Sequence, residues 1–366
     1  MSEDRKPRCL ILFEGSFRSE ATGKTYTKLL NQFLTWTKKD HESLLLLTDK
    51  EIQIFLEDYM LFLKRRYKRA SAKTIMAAIT KFLIINDKTV NLKKLQMFLP
   101  EEEKPGGEKA ITTIQVKKML DYATTIRLKT IIHIFASCGV RPEGLSLLQI
   151  KDLEDMQDGC KSLLIYADSR HEYFIFLTPE ASTVLDEYLQ SRRERGEKLT
   201  PESYVIGREP FIVNEKRSKP VMVNSFESSL SHAMRRAGIS RIKKGNRYDV
   251  AVCGSFRKRF NTILKKNPNI SFTTAEIMMD HSVKQEPSYN KPTKEELFEE
   301  FKKAIPELTI DDSERKQALL NQAMKEKSEY EKEKMKHDEL ANDFEEFKEE
   351  MKSFIKEIRE KENSNS

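Results

Sequence analysis

Ala136-Ser-Cys-Gly-Val-Arg-Pro-Glu-Gly-Leu-Ser-Leu-Leu148 joins two apolar runs through a break at Gly139 to Pro142. Gly139 can take a positive φ and end one helix, and Pro142 suits the first position of the next. Arg141 is therefore predicted at a tight helix junction, where a guanidinium is fixed before it meets an anion. Upstream, the apolar spacing predicts helices over 113–122 and 126–137. Downstream, Ser162-Leu-Leu-Ile-Tyr166 and Tyr173-Phe-Ile-Phe-Leu177 flank Ala-Asp-Ser-Arg-His-Glu, which predicts a hairpin with a six-residue loop. Further helices are expected over 180–195, 223–236 and 255–265. Residues 106–310 thus read as an α-rich domain with a small antiparallel sheet, and the whole chain as mainly α.

Two different segments flank this domain. Within residues 1–105, Tyr26, Leu29, Leu30, Phe33 and Trp36 make a helical stripe. A second helix is expected to start at Thr48, capped with Glu51, and a third carries Ile75, Met76, Ile79, Phe82 and Leu83. Between the last two, Lys64, Arg65, Arg66, Lys68, Arg69 and Lys73 put six basic residues in ten, a phosphate-contacting edge or a solvated charged turn. Residues 100–107 read as a Pro/Gly-rich linker. Cys9-Leu-Ile-Leu-Phe13 reads as strand-like, and Gly23-Lys24-Thr25 after it superficially suggests a phosphate loop. That motif needs a glycine five positions before Gly23, where Arg18 stands. In 311–366, Ala323, Tyr330, His337, Phe344, Met351 and Ile358 recur every seventh position, as do Leu319, Glu326, Glu333, Leu340, Phe347 and Phe354. Interleaved, they give a heptad seam, good from Leu340 to Ile358, that fits a coiled coil, a docking helix or a solvated single helix.

Composition narrows the classes. Of 366 residues 34% are charged and 38% hydrophobic, with a net charge of +7. Residues 313–366 hold 12 basic and 15 acidic side chains, leaving 53 against 43 in the first 312, so an acidic tail masks a more basic body. No apolar run approaches the ~20 residues of a membrane-spanning helix, and the N-terminus lacks a signal-peptide pattern, so a cytoplasmic protein is expected. Cys9, Cys138, Cys160 and Cys253 show neither a disulfide framework nor metal-ligand spacing, and no metal or cofactor is expected.

Two further boxes follow the Arg141 junction. In Ser255-Phe-Arg-Lys-Arg-Phe-Asn-Thr-Ile-Leu264, Phe256, Phe260, Ile263 and Leu264 form the buried face and leave Arg257 at its edge. In Ile277-Met-Met-Asp-His-Ser-Val-Lys-Gln-Glu-Pro-Ser-Tyr289, His281 ends an apolar helix and Tyr289 follows eight residues later. Arg141, Arg257, His281 and Tyr289, in this order and spacing, resemble the boxes of the tyrosine recombinase (phage integrase) family, and fit its archaeal branch best. The resemblance runs from about residue 21 to 310, with 1–105 similar to the helical core-binding domain, 106–310 to the catalytic domain, and the long helix of 311–366 outside it.

The resemblance implies a site-specific recombinase acting on double-stranded DNA without metal or nucleotide, as a homo-oligomer with four protomers on two duplexes. Tyr289 would attack a phosphodiester to leave a 3′-phosphotyrosyl link, Arg141 and Arg257 would hold the non-bridging oxygens, and His281 would bond the phosphate or assist proton movement. The sequence departs from the family at two places. Gly254 stands where a His or Lys is usual, leaving Ser255 or His281 to compensate, or an impaired DNA-binding descendant. The hairpin loop lacks the family's lysine, with Arg170 or His171 as candidate acids and Lys161 too far back. The capped helix after Tyr289, with Thr293 and Glu296 as its box, would pack on a neighbouring subunit or on its own domain. A coiled-coil scaffold with a helical head is the reading that leaves these boxes to chance.

Overall fold

The computed structural model describes residues 6–102, 109–208, 220–244, 247–281 and 292–364. The chain forms two compact units, Met1–Pro105 and Gly106–Ser366. The first contains α1 (Arg8–Gly15), α2 (Glu20–Thr37), α3 (His41–Leu45), α4 (Asp49–Lys64), α5 (Arg69–Ile85) and α6 (Leu92–Met97). The expected capping box is present at the start of α4, where the Thr48 hydroxyl accepts from the Glu51 amide and the Glu51 carboxylate accepts from the Thr48 amide. Leu30, Phe33, Leu56, Ile79 and Phe82 are fully buried in one cluster.

One expectation fails in this unit. Cys9–Phe13 lies in helix α1, not a strand. Cys9 and Phe13, four residues apart, are buried while Ile11 and Leu12 are exposed, so the run obeys helical period. The Phe13 ring packs edge-on to Phe17 and Phe82. Gly23 lies inside α2, where its amide donates to the Ser19 carbonyl at 3.1 Å rather than facing a phosphate.

The second unit begins with α7 (Thr113–Asp121), α8 (Ile126–Cys138) and α9 (Pro142–Leu147). Strands β1 (Leu153–Asp155), β2 (Lys161–Ile165) and β3 (Tyr173–Leu177) follow, then α10 (Pro179–Glu194) and α11 (Val223–Arg236). After the short ribbon β4 (Lys243–Lys244) and β5 (Arg247–Tyr248) come α12 (Val252–Lys266), α13 (Phe272–Met278), α14 (Lys294–Lys302), α15 (Ile305–Leu308) and α16 (Asp312–Ser364). The sheet is antiparallel in the order β1-β2-β3, with Leu163 opposite both Leu153 and Ile175. The hairpin β2–β3 was expected; the short edge strand β1 was not.

Alternation along β3 organises the interior. Tyr173, Ile175 and Leu177 join the large cluster around α8, whereas Phe176 faces a second cluster that includes Phe260, Phe298 and Phe301. Helix α8 is buried on every side from Thr130 to Cys138, as befits a helix apolar around its circumference. Helix α14 has the expected Thr293–Glu296 box and packs on its own domain: Phe298 and Phe301 meet the Phe176 ring at centroid distances of 5.3 and 5.4 Å. Its apolar face is therefore satisfied in cis. The buried Glu180 carboxylate accepts from the amides of Ile310 and Asp311 and so anchors the start of α16. Along α16, Leu340, Phe344 and Phe347 remain exposed. Among the described residues, no helix is long and apolar enough to cross a membrane.

Candidate active site

Helix α8 ends at Gly139, whose φ of +57° places it in the left-handed region that glycine tolerates. A Cβ there would also lie 2.7 Å from Phe260 Cβ and 3.1 Å from the Arg257 backbone, so the absent side chain lets α12 approach. Val140 is buried, and Arg141 caps α9 with Pro142 at its first position, as the sequence predicts. The same junction therefore sets Arg141 and brings Arg257 beside it.

Both guanidiniums grip one turn. Arg257 donates from Nη1 to the Gly139 carbonyl at 3.0 Å and from Nη2 to the Met279 carbonyl. Arg141 donates from Nη2 to the Asp280 carbonyl at 3.2 Å and from Nη1 to the Asp280 carboxylate. Burial, together with the Arg141 charge, pushes the Arg257 pKa down. Two partly buried cations side by side call for an anion; the Asp280 carboxylate supplies one, and a phosphoryl group suits the same place.

His281 is on the same turn, three residues beyond the end of α13 rather than within it. Its Nδ1 is 2.8 Å from the Glu276 carboxylate, which also pairs with Lys265. Lys265 first, and His281 against partial burial, hold the Glu276 carboxyl below its ordinary range. A carboxylate on Nδ1 fixes the imidazole's orientation and turns Nε2 outward as the working nitrogen. Tyr289 lies outside the described residues.

Hairpin residues approach the arginines from another side. Tyr166, with φ +55° where the chain leaves β2, is half-buried; burial and the nearby Glu143 raise its pKa. Tyr173 is buried, and its pKa is pushed up to about 12 by that burial, against the neighbouring Arg257. Arg170 and His171 sit in the exposed loop, where Arg170 Nε donates to His171 Nε2 at 3.1 Å, a bond that requires an unprotonated acceptor nitrogen. Lys161 is at the opposite end of β2 from the hairpin loop, bonded to Asp155 and Asp186. Gly254 lies one helical turn before Arg257 on α12.

In the first unit Lys64, Arg65, Arg66, Lys68 and Lys73 are exposed around the α4–α5 turn. Arg66 stacks over Phe62 at 4.4 Å. Arg69 is committed to the fold, donating to the Pro100 carbonyl at 3.0 Å. Sequence reasoning missed Asp280, Glu276, Tyr166 and Tyr173. Only Asp280 left a local trace, an acidic residue after an apolar helix where the chain turns left-handed.

An arginine pair and an oriented imidazole thus meet at one turn of an α-rich domain with a three-stranded antiparallel sheet, a candidate anion site. Residues 109–296, just over half the chain, match the phage integrase family. This chain belongs to that family. It is 25% identical over 116 residues to tyrosine recombinase XerC of Lactobacillus delbrueckii subsp. bulgaricus, a match covering 32% of this chain and 36% of that relative. The aligned portion thus spans about a third of the curated relative's length. A lambda integrase (75–356) dimer bound to a COC′ core site shares the fold at a TM-score of 0.50 and 14% identity, over 78% of this chain and 96% of that one. The XerA recombinase structure aligns at 21% identity over 76% of this chain and 90% of its own, with a TM-score of 0.37.

Proposed function

We propose that this protein is a site-specific DNA recombinase that cuts and rejoins duplex DNA through a phosphotyrosyl intermediate at Tyr289. The observation that carries this reading is the convergence of Arg141 and Arg257 on the Met279–Asp280 turn, with His281 next in sequence. The Tyr289 oxygen attacks phosphorus and loses its proton. The 5′-oxygen leaves and takes a proton, giving a 3′-phosphotyrosyl bond and a free 5′-hydroxyl. Attack by a hydroxyl from another strand reverses these steps and restores the tyrosine, so the energy of the broken bond is retained. Arg141 and Arg257 neutralise the charge that builds on the non-bridging oxygens. His281, oriented by Glu276, bonds the phosphate or relays a proton. His171 or Arg170 is the candidate proton source for the leaving oxygen.

The remaining assignments support this reading. Residues 1–105 serve as the DNA-binding domain, with Lys64, Arg65, Arg66, Lys68 and Lys73 along phosphates and Arg69 bracing the turn. Residues 106–310 are catalytic. Residues 311–366 form a coiled-coil-like helix whose exposed Leu340, Phe344, Phe347 and Met351 favour protein contact over DNA. Assembly is as a homo-oligomer, a tetramer on two duplexes. The order of the boxes favours an archaeal-type integrase, and a cytoplasmic location suits a protein that acts on DNA.

Replacing Arg141 or Arg257 by Ala is expected to abolish covalent capture of a nicked duplex while duplex binding persists. Equal capture by both variants and wild type would overturn the assignment. Gly254 favours a second reading, a descendant that binds DNA and no longer cuts. Tight binding with no capture at any pH supports that alternative.

A further inference from the structure

The Asp280 backbone has a φ of +47°, the left-handed region, where glycine is unstrained and any other side chain needs a reason. Here the side chain has one: its carboxylate takes Arg141 Nη1, while the carbonyl of the same residue takes Nη2 at 3.2 Å. Arg257, beside it, donates to carbonyls and not to a carboxylate. The carboxylate is therefore the anion that answers the paired guanidiniums. The pair is reachable, with the Arg141 and Asp280 side chains 35% and 24% exposed. Arg141 is thus tied by one acceptor that is fixed in the backbone and one that can rotate away.

We propose that Asp280 is a resident stand-in for the scissile phosphate, its carboxylate holding Arg141 between DNA encounters and yielding Nη1 when a phosphate oxygen arrives. The carbonyl bond to Nη2 keeps the guanidinium in place during the exchange, so the site opens without losing its geometry. Asp280 acts through Arg141 and is a positioning residue. It also discriminates: a lone or poorly placed phosphate must outcompete a tethered carboxylate, whereas a phosphate held by a bound duplex does so readily. This inference rests on the phosphate-handling role proposed above.

The test uses the full chain and inorganic phosphate, with no DNA. Phenylglyoxal labelling of Arg141 is followed by peptide mass spectrometry, with exposed Arg236 as the internal standard. In Asp280→Asn, Arg141 should label several-fold faster than in wild type, and phosphate should protect it at about one tenth of the wild-type concentration, the usual scale of one charge-assisted bond. Asp280→Gly, which suits the left-handed backbone, should behave alike and serves as the folded control. Unchanged labelling and unchanged phosphate protection in both variants would overturn the proposal. So would loss of phosphate protection, since Asp280 would then only brace Arg141. Because no DNA is present, these outcomes are independent of whether a covalent DNA complex forms.

Discussion

Arg257 and Arg259 stand two positions apart on α12 and face opposite tasks. Arg259 is almost fully buried and donates to the carbonyls of Ala136, Glu307 and Leu308 and to Thr113 Oγ1, and its pKa falls to about 10 through burial and the nearby Arg315 charge. Arg259→Met would strand those buried acceptors and is expected to cost roughly 3 kcal/mol or more, read as a lower urea midpoint. Arg257→Lys should leave that midpoint near wild type and reduce covalent capture by about 10²- to 10³-fold. His133 supplies a pH dependence. Burial, with Lys129 nearby, lowers its pKa to about 4, and the Glu180 carboxylate lies 4.0 Å away. An unfolded histidine titrates near ~6.5, so the unfolded chain binds the extra proton between these values. Stability from this residue is therefore complete above about pH 6.5 and lost as pH falls towards 4, by up to about 3 kcal/mol. In His133→Gln, denaturation midpoints across that window should show a flatter slope.

At the scale of elements, Phe301 on α14 is fully buried against Phe176, and Phe301→Ala should cost about 3–5 kcal/mol in chemical denaturation. The start of α14 was legible because a capping box is a local signal: Thr293 and Glu296 announce it four residues ahead of its first buried leucine. The same holds for α4 and for the β2–β3 hairpin, where two short apolar runs flank a polar loop. Cys9–Phe13 misled because five consecutive apolar residues carry neither period, and partners such as Phe82, remote in sequence, select the helical face. The junction holding Arg141 and the helix edge holding Arg257 were legible locally, whereas singling the two out rested on the resemblance of the boxes. Asp280 left only its helix-end trace; its ion pair was not legible, because the partner is 139 residues away and no sequence pattern marks an ion pair at that range. Glu276 escaped for a related reason: it reaches His281 only because the chain leaves α13 between them.

For the whole molecule, the net charge of +7 averages unlike parts. The basic surplus belongs to the first 312 residues, and the tail, with 12 basic and 15 acidic side chains, suits protein contact. Removing residues 321–366 should leave duplex affinity unchanged while lowering the mass of the assembly in sedimentation, since the anchor of α16 at Glu180 lies before the cut. Duplex affinity itself should fall steeply with salt, and Arg65→Ala should shallow the log–log slope by about 0.9 if Arg65 neutralises one phosphate. The most direct measurement is covalent capture on a pool of nicked duplexes with a randomised core, followed by peptide mapping of the adduct. The expected result is a denaturant-resistant protein–DNA product mapped to Tyr289 and missing in Tyr289→Phe. Tight duplex binding with no adduct from either the wild type or Gly254→His, at any pH, would contradict it.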